Sequence, residues 1–434
     1  MNTPIGRRKF LGCAGALSAG AVWPGVTGND LARGKSCPIA ALEHKAQGQS
    51  VQTESLLGSL APVMRSIQRE RGFPLAYEHR GAMPVEEWRQ RGRAEVERFL
   101  SFHPEPITLD VRVQTIVKRA GYETRRITFA GCHHYRVPAF LLMPTEGKPP
   151  YPGIVALHDH SGYFYHGKEK LVAMEGEHLA LKKLRDRLYG GLSYADELAK
   201  RGFVVLVTDA FYWGERRIEY RNPPEDLASR LAGLRPEQLE YVEAVNSYLG
   251  ERNTELNTWL AFCGISWMGI VNHDDRRSVD VLASLPEVDA AHIGCVGLSG
   301  GAYRATYLTG MDSRIQASAI VGWMTSLPTT LNSPYPVHAG LFDAFGLHAH
   351  LDHPDVASLA APDCALFVQD CAQDRLFTRA GMEEAADKLR RVYGDLEHPE
   401  RFRSKFYDVP HQFNRSMQEE AFDWLGNWLR PKGA

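Results

Sequence analysis

Ser299 stands in the run Gly297-Leu298-Ser299-Gly300-Gly301, directly after the apolar stretch Ile293-Gly294-Cys295-Val296 and ahead of a helical segment. A serine at the tip of a sharp strand-to-helix turn exposes its hydroxyl, but side chains two residues to either side would collide there. Glycines at 297 and 301 remove that collision. The pattern points to a serine nucleophile, with the amide of Gly300 at the helix N-terminus donating to a developing oxyanion. The competing reading is a glycine-rich turn that holds a phosphate. The loop lacks the lysine of a P-loop and the G-x-G-x-x-G spacing, which disfavours nucleotide binding.

A serine nucleophile needs a base and a supporting acid, here expected in the order serine, acid, histidine. Past Ala365-Leu366-Phe367-Val368 the chain reads Gln369-Asp370-Cys371-Ala372-Gln373-Asp374-Arg375, and past Lys405-Phe406-Tyr407 it reads Val409-Pro410-His411-Gln412-Phe413. His411 is the expected base. Asp374 is the expected acid, far enough into its loop to turn back toward the imidazole; Asp370, nearer the strand end, is the alternative. A second oxyanion donor belongs on the loop after the first central strand, Ile154 to Leu157, which runs into His158-Asp159-His160-Ser161-Gly162. The amide of His160 is favoured, with Asp159 next, and His158 is expected to pin the loop. His158, His160, His166 and His133-His134 invite a metal reading. Alternating side chains at a strand end point to opposite faces and chelate poorly, so no metal and no cofactor is expected.

Those loops need strands to carry them. Val111-Arg112-Val113, Arg125-Ile127-Phe129 and Val137 to Leu142 alternate and end in Pro144, Gly147 and Pro149, the pattern of antiparallel strands. Apolar runs then alternate with helical segments. The runs are Gly153–Leu157, Phe203–Val207, Ile293–Val296, Ala317–Val321 and Ala365–Val368; the helices include 194–201, 275–285, 381–393 and 417–429. This rhythm predicts a mostly parallel sheet covered on both faces. A helical pattern also spans Leu56 to Leu100, and residues 215–265 break the rhythm with helical character of their own.

The 434 residues carry 50 Lys+Arg against 52 Asp+Glu, a balance that predicts no nucleic-acid partner. No run of 18 or more apolar residues suggests a spanning helix. Arg7-Arg8-Lys9-Phe10-Leu11 opens a mild apolar stretch to Val22, with Ala19-Gly20-Ala21 as a small-residue cleavage site. That is the pattern of a twin-arginine export signal, with the export machinery as partner and no stable membrane anchor; Cys13 follows too short an apolar run for a lipoprotein box. An oxidising compartment would permit disulfides among Cys37, Cys132, Cys263, Cys295, Cys364 and Cys371 without demanding them, Cys364 and Cys371 being the pair to inspect first.

Together the chain resembles the dienelactone-hydrolase-related, acetyl-xylan-esterase-like branch of the α/β-hydrolases. The resemblance rests on Leu157 to Gly162 with Gly167-Lys168-Glu169, on Leu198 to Phe203, and on Asp209-Ala210-Phe211 with Gly214-Glu215-Arg216. It extends to Asp274-Asp275-Arg276, the elbow at Ser299, Asp374 and His411, over roughly residues 85 to 430. It implies the α/β-hydrolase fold: a mostly parallel central sheet with helices on both faces, a helical N-terminal extension and a helical insertion over the active site. The expected domains are a signal peptide at 1–28, a linker and helical extension at 29–105, and a catalytic domain at 106–434 with its insertion near 215–265. The implied activity is hydrolysis of a small-molecule or carbohydrate ester through an acyl-enzyme. A serine peptidase of this fold and a non-catalytic binding protein are the rivals. Dienelactone hydrolases proper carry a cysteine where this elbow has Ser299. Asp209 and Arg216, beyond a strand end, could line the pocket but are expected to brace loops by ion pairs, and Asp274-Asp275-Arg276 to brace the back of the elbow helix. Tyr163, Phe164, Tyr165, Tyr212, Trp213, Trp259 and Trp267 are the aromatic candidates for a pocket wall, most of them expected in the core.

Overall fold

The computed structural model describes residues 55–333 and 344–430. The expected signal peptide, most of the linker, Cys13 and Cys37 lie outside the described residues. Nine strands make one sheet in the order β1-β2-β3-β5-β4-β6-β7-β8-β9. They are β1 (Arg112–Arg119), β2 (Tyr122–Cys132), β3 (Tyr135–Pro144), β4 (Tyr151–Leu157), β5 (Val204–Thr208), β6 (Val288–Leu298), β7 (Ile315–Val321), β8 (Ala365–Cys371) and β9 (Phe402–Tyr407). β1, β2, β3 and β5 pair antiparallel, and from β5 through β4 to β9 every pairing is parallel.

The continuous apolar runs follow from burial on both faces. Val155, Leu157, Val204, Leu206, Ile293 and Cys295 point into one core, and Ile154, Ala156, Val205, Val207, Val296 and Leu298 into the other. The helical pattern from Leu56 resolves into α1 (Ala61–Arg71) and α2 (Val85–Leu100), separated by the residues around Gly72 and Pro74, which cannot continue a helix. α2 buries Trp88, Val96 and Leu100 in the first core. A further helix, α3 (Leu179–Leu188), presents Leu184 and Leu188 to the second core, next to α4 (Tyr194–Lys200). Between β5 and β6 come α5 (Glu225–Leu231), α6 (Leu239–Glu251), α7 (Asn253–Phe262) and the long α8 (Trp267–Ala283). After β6 the order is α9 (Gly300–Met311), β7, the short α10 (His353–Ser358), β8, α11 (Arg379–Asp395), β9 and α12 (Arg415–Leu429). Among the described residues no helix is long and apolar enough to cross a membrane.

Candidate active site

Parallel strands end on one edge of a sheet, so the loops after β4, β6, β8 and β9 meet there. Ser299 sits between β6 and α9 at φ 58° and ψ −123°, a conformation that costs a non-glycine residue about 1–3 kcal/mol. It is held because Ser299 N–H donates to the Val321 carbonyl at 2.9 Å and the backbone around it is packed without slack. A Cβ on Gly297 would come 2.4 Å from Gly301 C, and one on Gly301 would come 2.1 Å from the Leu157 carbonyl oxygen. The two glycines therefore let the turn at Ser299 close on itself and let α9 begin against the end of β4.

The structure brings Asp374 to His411. His411 Nδ1 lies 2.6 Å from Asp374 Oδ2, with the carboxylate 1% exposed and the imidazole 21% exposed. The second carboxylate oxygen, Oδ1, accepts from Leu376 N–H at 2.8 Å, which fixes the plane of the group. The two loops are tied together independently: Ala372 N–H donates to Tyr407 O at 2.8 Å, Gln373 N–H to Val409 O at 3.1 Å and Cys371 Sγ to Gln412 O at 3.3 Å. Asp370 lies inside β8, fully buried with neither carboxylate oxygen partnered. Burial first, then Asp374, pushes its pKa well above the ordinary carboxylate value, which makes it a poor counter-charge for an imidazolium.

On the other side of Ser299, His158 is buried and its role is fixed by two backbone groups. Ala210 N–H donates to Nε2 at 3.1 Å, which leaves the proton on Nδ1, facing the Asp159 carbonyl at 2.9 Å. Burial, with Lys170 and Arg304 nearby, holds this imidazole neutral. Asp159 is buried as well. Burial opposes its charge, but Lys170, Ser161 and Tyr189 outweigh it and hold the pKa at about 2. Ser161 has φ 45° and Gly162 φ 72°, and Gly162 N–H donates to His160 Nδ1 at 3.0 Å, so the loop is tightly folded.

The ion pairs have partners the sequence could not name. Arg304, one turn into α9, grips Asp275 of α8 with Nε–Oδ2 at 3.0 Å and Nη2–Oδ1 at 2.6 Å, both residues buried. Arg216 meets Asp274 at 2.6 Å, and Tyr135 OH donates to the same carboxylate at 2.9 Å. Asp209 pairs instead with Lys168, whose Nζ is fully buried at 2.8 Å from Asp209 Oδ2, 2.7 Å from Glu169 Oε1 and 2.5 Å from Glu215 Oε1. Those three carboxylates are spaced as a cation site would require, and the lysine ammonium lies among them. Burial works against the charge of Lys168 and the three carboxylates overcome it, so its pKa is raised.

Of the aromatic candidates, Phe164, Tyr212, Trp213 and Trp267 are fully buried and pack on one another in tilted and edge-on contacts in the core. Tyr163 and Tyr165 are half-buried and Trp259 is 66% exposed on α7. The sequence reading missed Trp323. It follows Gly322, where a Cβ would lie 3.3 Å from His411 Cε1, and its ring packs on Tyr303 and Phe377 at 5.4 Å and 4.9 Å. Its indole N–H is buried with no partner. Cys132, Cys263, Cys295, Cys364 and Cys371 are all free thiols.

No protein-family model matches the sequence. A Bacillus subtilis (strain 168) protein described only as a hydrolase, YtaP, is 22% identical over 344 residues, which is 79% of this chain and the whole of that one. Among solved structures, a Bacteroides fragilis protein assigned as an acetyl xylan esterase superposes with a TM-score of 0.58 at 17% identity, covering 84% of each chain. A glucuronoyl esterase from Teredinibacter turnerae gives 0.55 at 12% identity, covering 88% of this chain and 92% of that one. Another, from Solibacter usitatus, gives 0.54 at 12%, covering 82% and 94%. With its large central sheet, covering helices and strand-end loops, the chain shares the fold of these carbohydrate esterases.

Proposed function

We propose that the protein is a serine-dependent carboxylic ester hydrolase that works through an acyl-enzyme. The observation that carries this is the strained Ser299 at the β6–α9 turn, on the same sheet edge as a buried Asp374 hydrogen-bonded to His411. Strain of that kind persists where the surroundings over-determine it, and here it presents a hydroxyl. In this mechanism His411 takes the Ser299 proton as the oxygen attacks the ester carbonyl, then returns it to the departing alcohol. Asp374 fixes the tautomer with the proton on Nδ1 and stabilises the imidazolium. The amides of Gly300 and His160 bind the oxyanion, each worth about 10²- to 10³-fold in rate. Water repeats the cycle on the acyl-enzyme.

The fold shared with acetyl xylan and glucuronoyl esterases favours an ester on a carbohydrate as substrate. The α5–α7 insertion is read as the cover of the site: Asn246 Oδ1 of α6 accepts from Tyr165 N–H at 2.8 Å, and Leu249 O from Tyr212 OH at 2.9 Å. Export by the twin-arginine route, with residues 1–28 removed, belongs to the same reading.

The test is labelling of the purified mature protein with a fluorophosphonate, alongside turnover of p-nitrophenyl acetate. Stoichiometric labelling and turnover are expected, both abolished in Ser299→Ala. A folded wild-type protein that neither labels nor turns over would put the binding-protein reading in its place.

A further inference from the structure

Behind the loop assigned to the oxyanion lies a lysine that neither the triad nor the ion-pair braces account for. Lys170 ends the short turn Lys168–Lys170 and is fully buried. Its Nζ donates to the carbonyl of Asp159 at 2.8 Å and to the carbonyl of His160 at 3.2 Å, and lies 3.4 Å from Asp159 Oδ2. Burying an ammonium is costly unless its donors are satisfied. Here they are directed mainly at two consecutive backbone carbonyls.

That choice has a geometric consequence. In a trans peptide the carbonyl and the next residue's N–H lie in one plane and point in opposite directions. Fixing the Asp159 carbonyl fixes the direction of the His160 N–H, and fixing the His160 carbonyl fixes that of the Ser161 N–H. Both N–H groups are turned away from Lys170. The loop is also anchored to the elbow, since a Cβ on Gly301 would come 2.1 Å from the Leu157 carbonyl oxygen and 3.0 Å from that of His158.

Other groups converge on the same two peptides. Tyr163 N–H donates to the His160 carbonyl at 3.2 Å, and Tyr189 OH donates to Asp159 Oδ1. Arg185 of α3 holds the lysine's own segment, Nε to the Lys170 carbonyl at 2.9 Å and Nη2 to that of Val172 at 2.8 Å. The left-handed backbone at Ser161, φ 45°, is what this clamping maintains.

We propose that Lys170 is a positioning residue for ester hydrolysis: its buried ammonium locks the Asp159 and His160 carbonyls so that the following amides are aimed, before substrate arrives, at the oxyanion formed on attack by Ser299. The proposal rests on the reading of Ser299 as nucleophile. A pinned carbonyl also polarises its peptide, which makes the opposite N–H a better donor.

The test compares Lys170→Met, which keeps the apolar stem and removes the donors, with Lys170→Gln, which keeps a neutral donor. Rates are counted per fluorophosphonate-titrated site, so unfolded protein does not enter. For p-nitrophenyl acetate, Lys170→Met is expected to lower kcat about 10²-fold with KM changed less than about threefold. Affinity for a trifluoromethyl ketone, whose hemiketal oxygen occupies the oxyanion position, should fall by a similar factor, and Lys170→Gln should recover part of both. Destabilisation with kcat per titrated site and ketone affinity unchanged would overturn the proposal while leaving the serine esterase reading intact; if Lys170→Met does not fold, the same comparison is read on Lys170→Gln. A wild-type protein that fails to label would instead remove the parent reading and this proposal with it.

Discussion

At the scale of single residues the molecule tolerates unfavourable groups close to Ser299. Ser299 sits in left-handed backbone, and one turn along α9 the Tyr303 ring packs at 4.7 Å against His353, a buried histidine with neither ring nitrogen partnered. Burial, and secondarily His348, holds the pKa of His353 well below the ordinary value. The sign follows. The folded chain keeps this imidazole neutral and the unfolded chain protonates it below about pH 6.5, so its contribution to stability falls as pH falls through that value. His353→Phe should stabilise the protein by about 1–3 kcal/mol at pH 7, because an unpartnered buried polar group is removed. The gain should widen by about 1.4 kcal/mol for each pH unit below about 6.5. Urea unfolding of both proteins between pH 7 and 5 checks this, and a constant difference would refute it. Neither the glycines around Ser299 nor the position of His411 needed a structure to be seen, because a strand-end serine and a late histidine leave a spacing in the chain. His353 left no such mark, since only its neighbours make it unusual.

At the scale of elements, the end of α3 is a common anchor for both sides of the site. Tyr189 just beyond it holds Asp159, Arg185 within it holds the segment around Lys170, and the Leu188 carbonyl accepts from Phe413 N–H at 2.7 Å, two residues past His411. The leucines at 181, 184 and 188 already have helical spacing, yet the contacts that give α3 its importance cross long stretches of chain and leave no local pattern. The same holds for the buried aromatics: Trp213 and Trp267 are visible as residue types, but which way they point is decided by packing. The helix that follows Ser299 is fixed by the Arg304–Asp275 pair, fully buried and bidentate. Removing one partner strands a charge, so Arg304→Met alone should cost about 3–5 kcal/mol, whereas Arg304→Met with Asp275→Leu should recover most of that loss. Equilibrium urea unfolding of the single and double variants measures it; equal losses in both would show that the pair acts through shape and not charge.

At the scale of the whole molecule, the alternation of apolar runs and helices made the mostly parallel sheet legible, and the short proline-punctuated runs before it made the antiparallel strands legible. Less legible was how α2 adds Trp88 and Val96 to the main core, because its amphipathic pattern does not say what it packs against. The export reading is tested at this scale. Replacing Arg7 and Arg8 by lysine should leave the precursor inside the cell, scored by fractionation and by the size of the protein on a gel, and unchanged export would refute the twin-arginine assignment.

The Lys168 cluster has an ecological side. A protein that neutralises a triad of carboxylates with a soluble calcium ion depends on the calcium in its surroundings, and loses stability to dilution or a chelator. Here the counter-ion is covalently attached to the chain, so its local concentration cannot change and this cluster needs no soluble cation to balance it. Lys168→Ala would convert the arrangement to the dependent kind, with Glu169, Asp209 and Glu215 left as an open oxygen-lined hollow. Its melting temperature should rise with added calcium and fall with EDTA, while that of the wild type stays level in both.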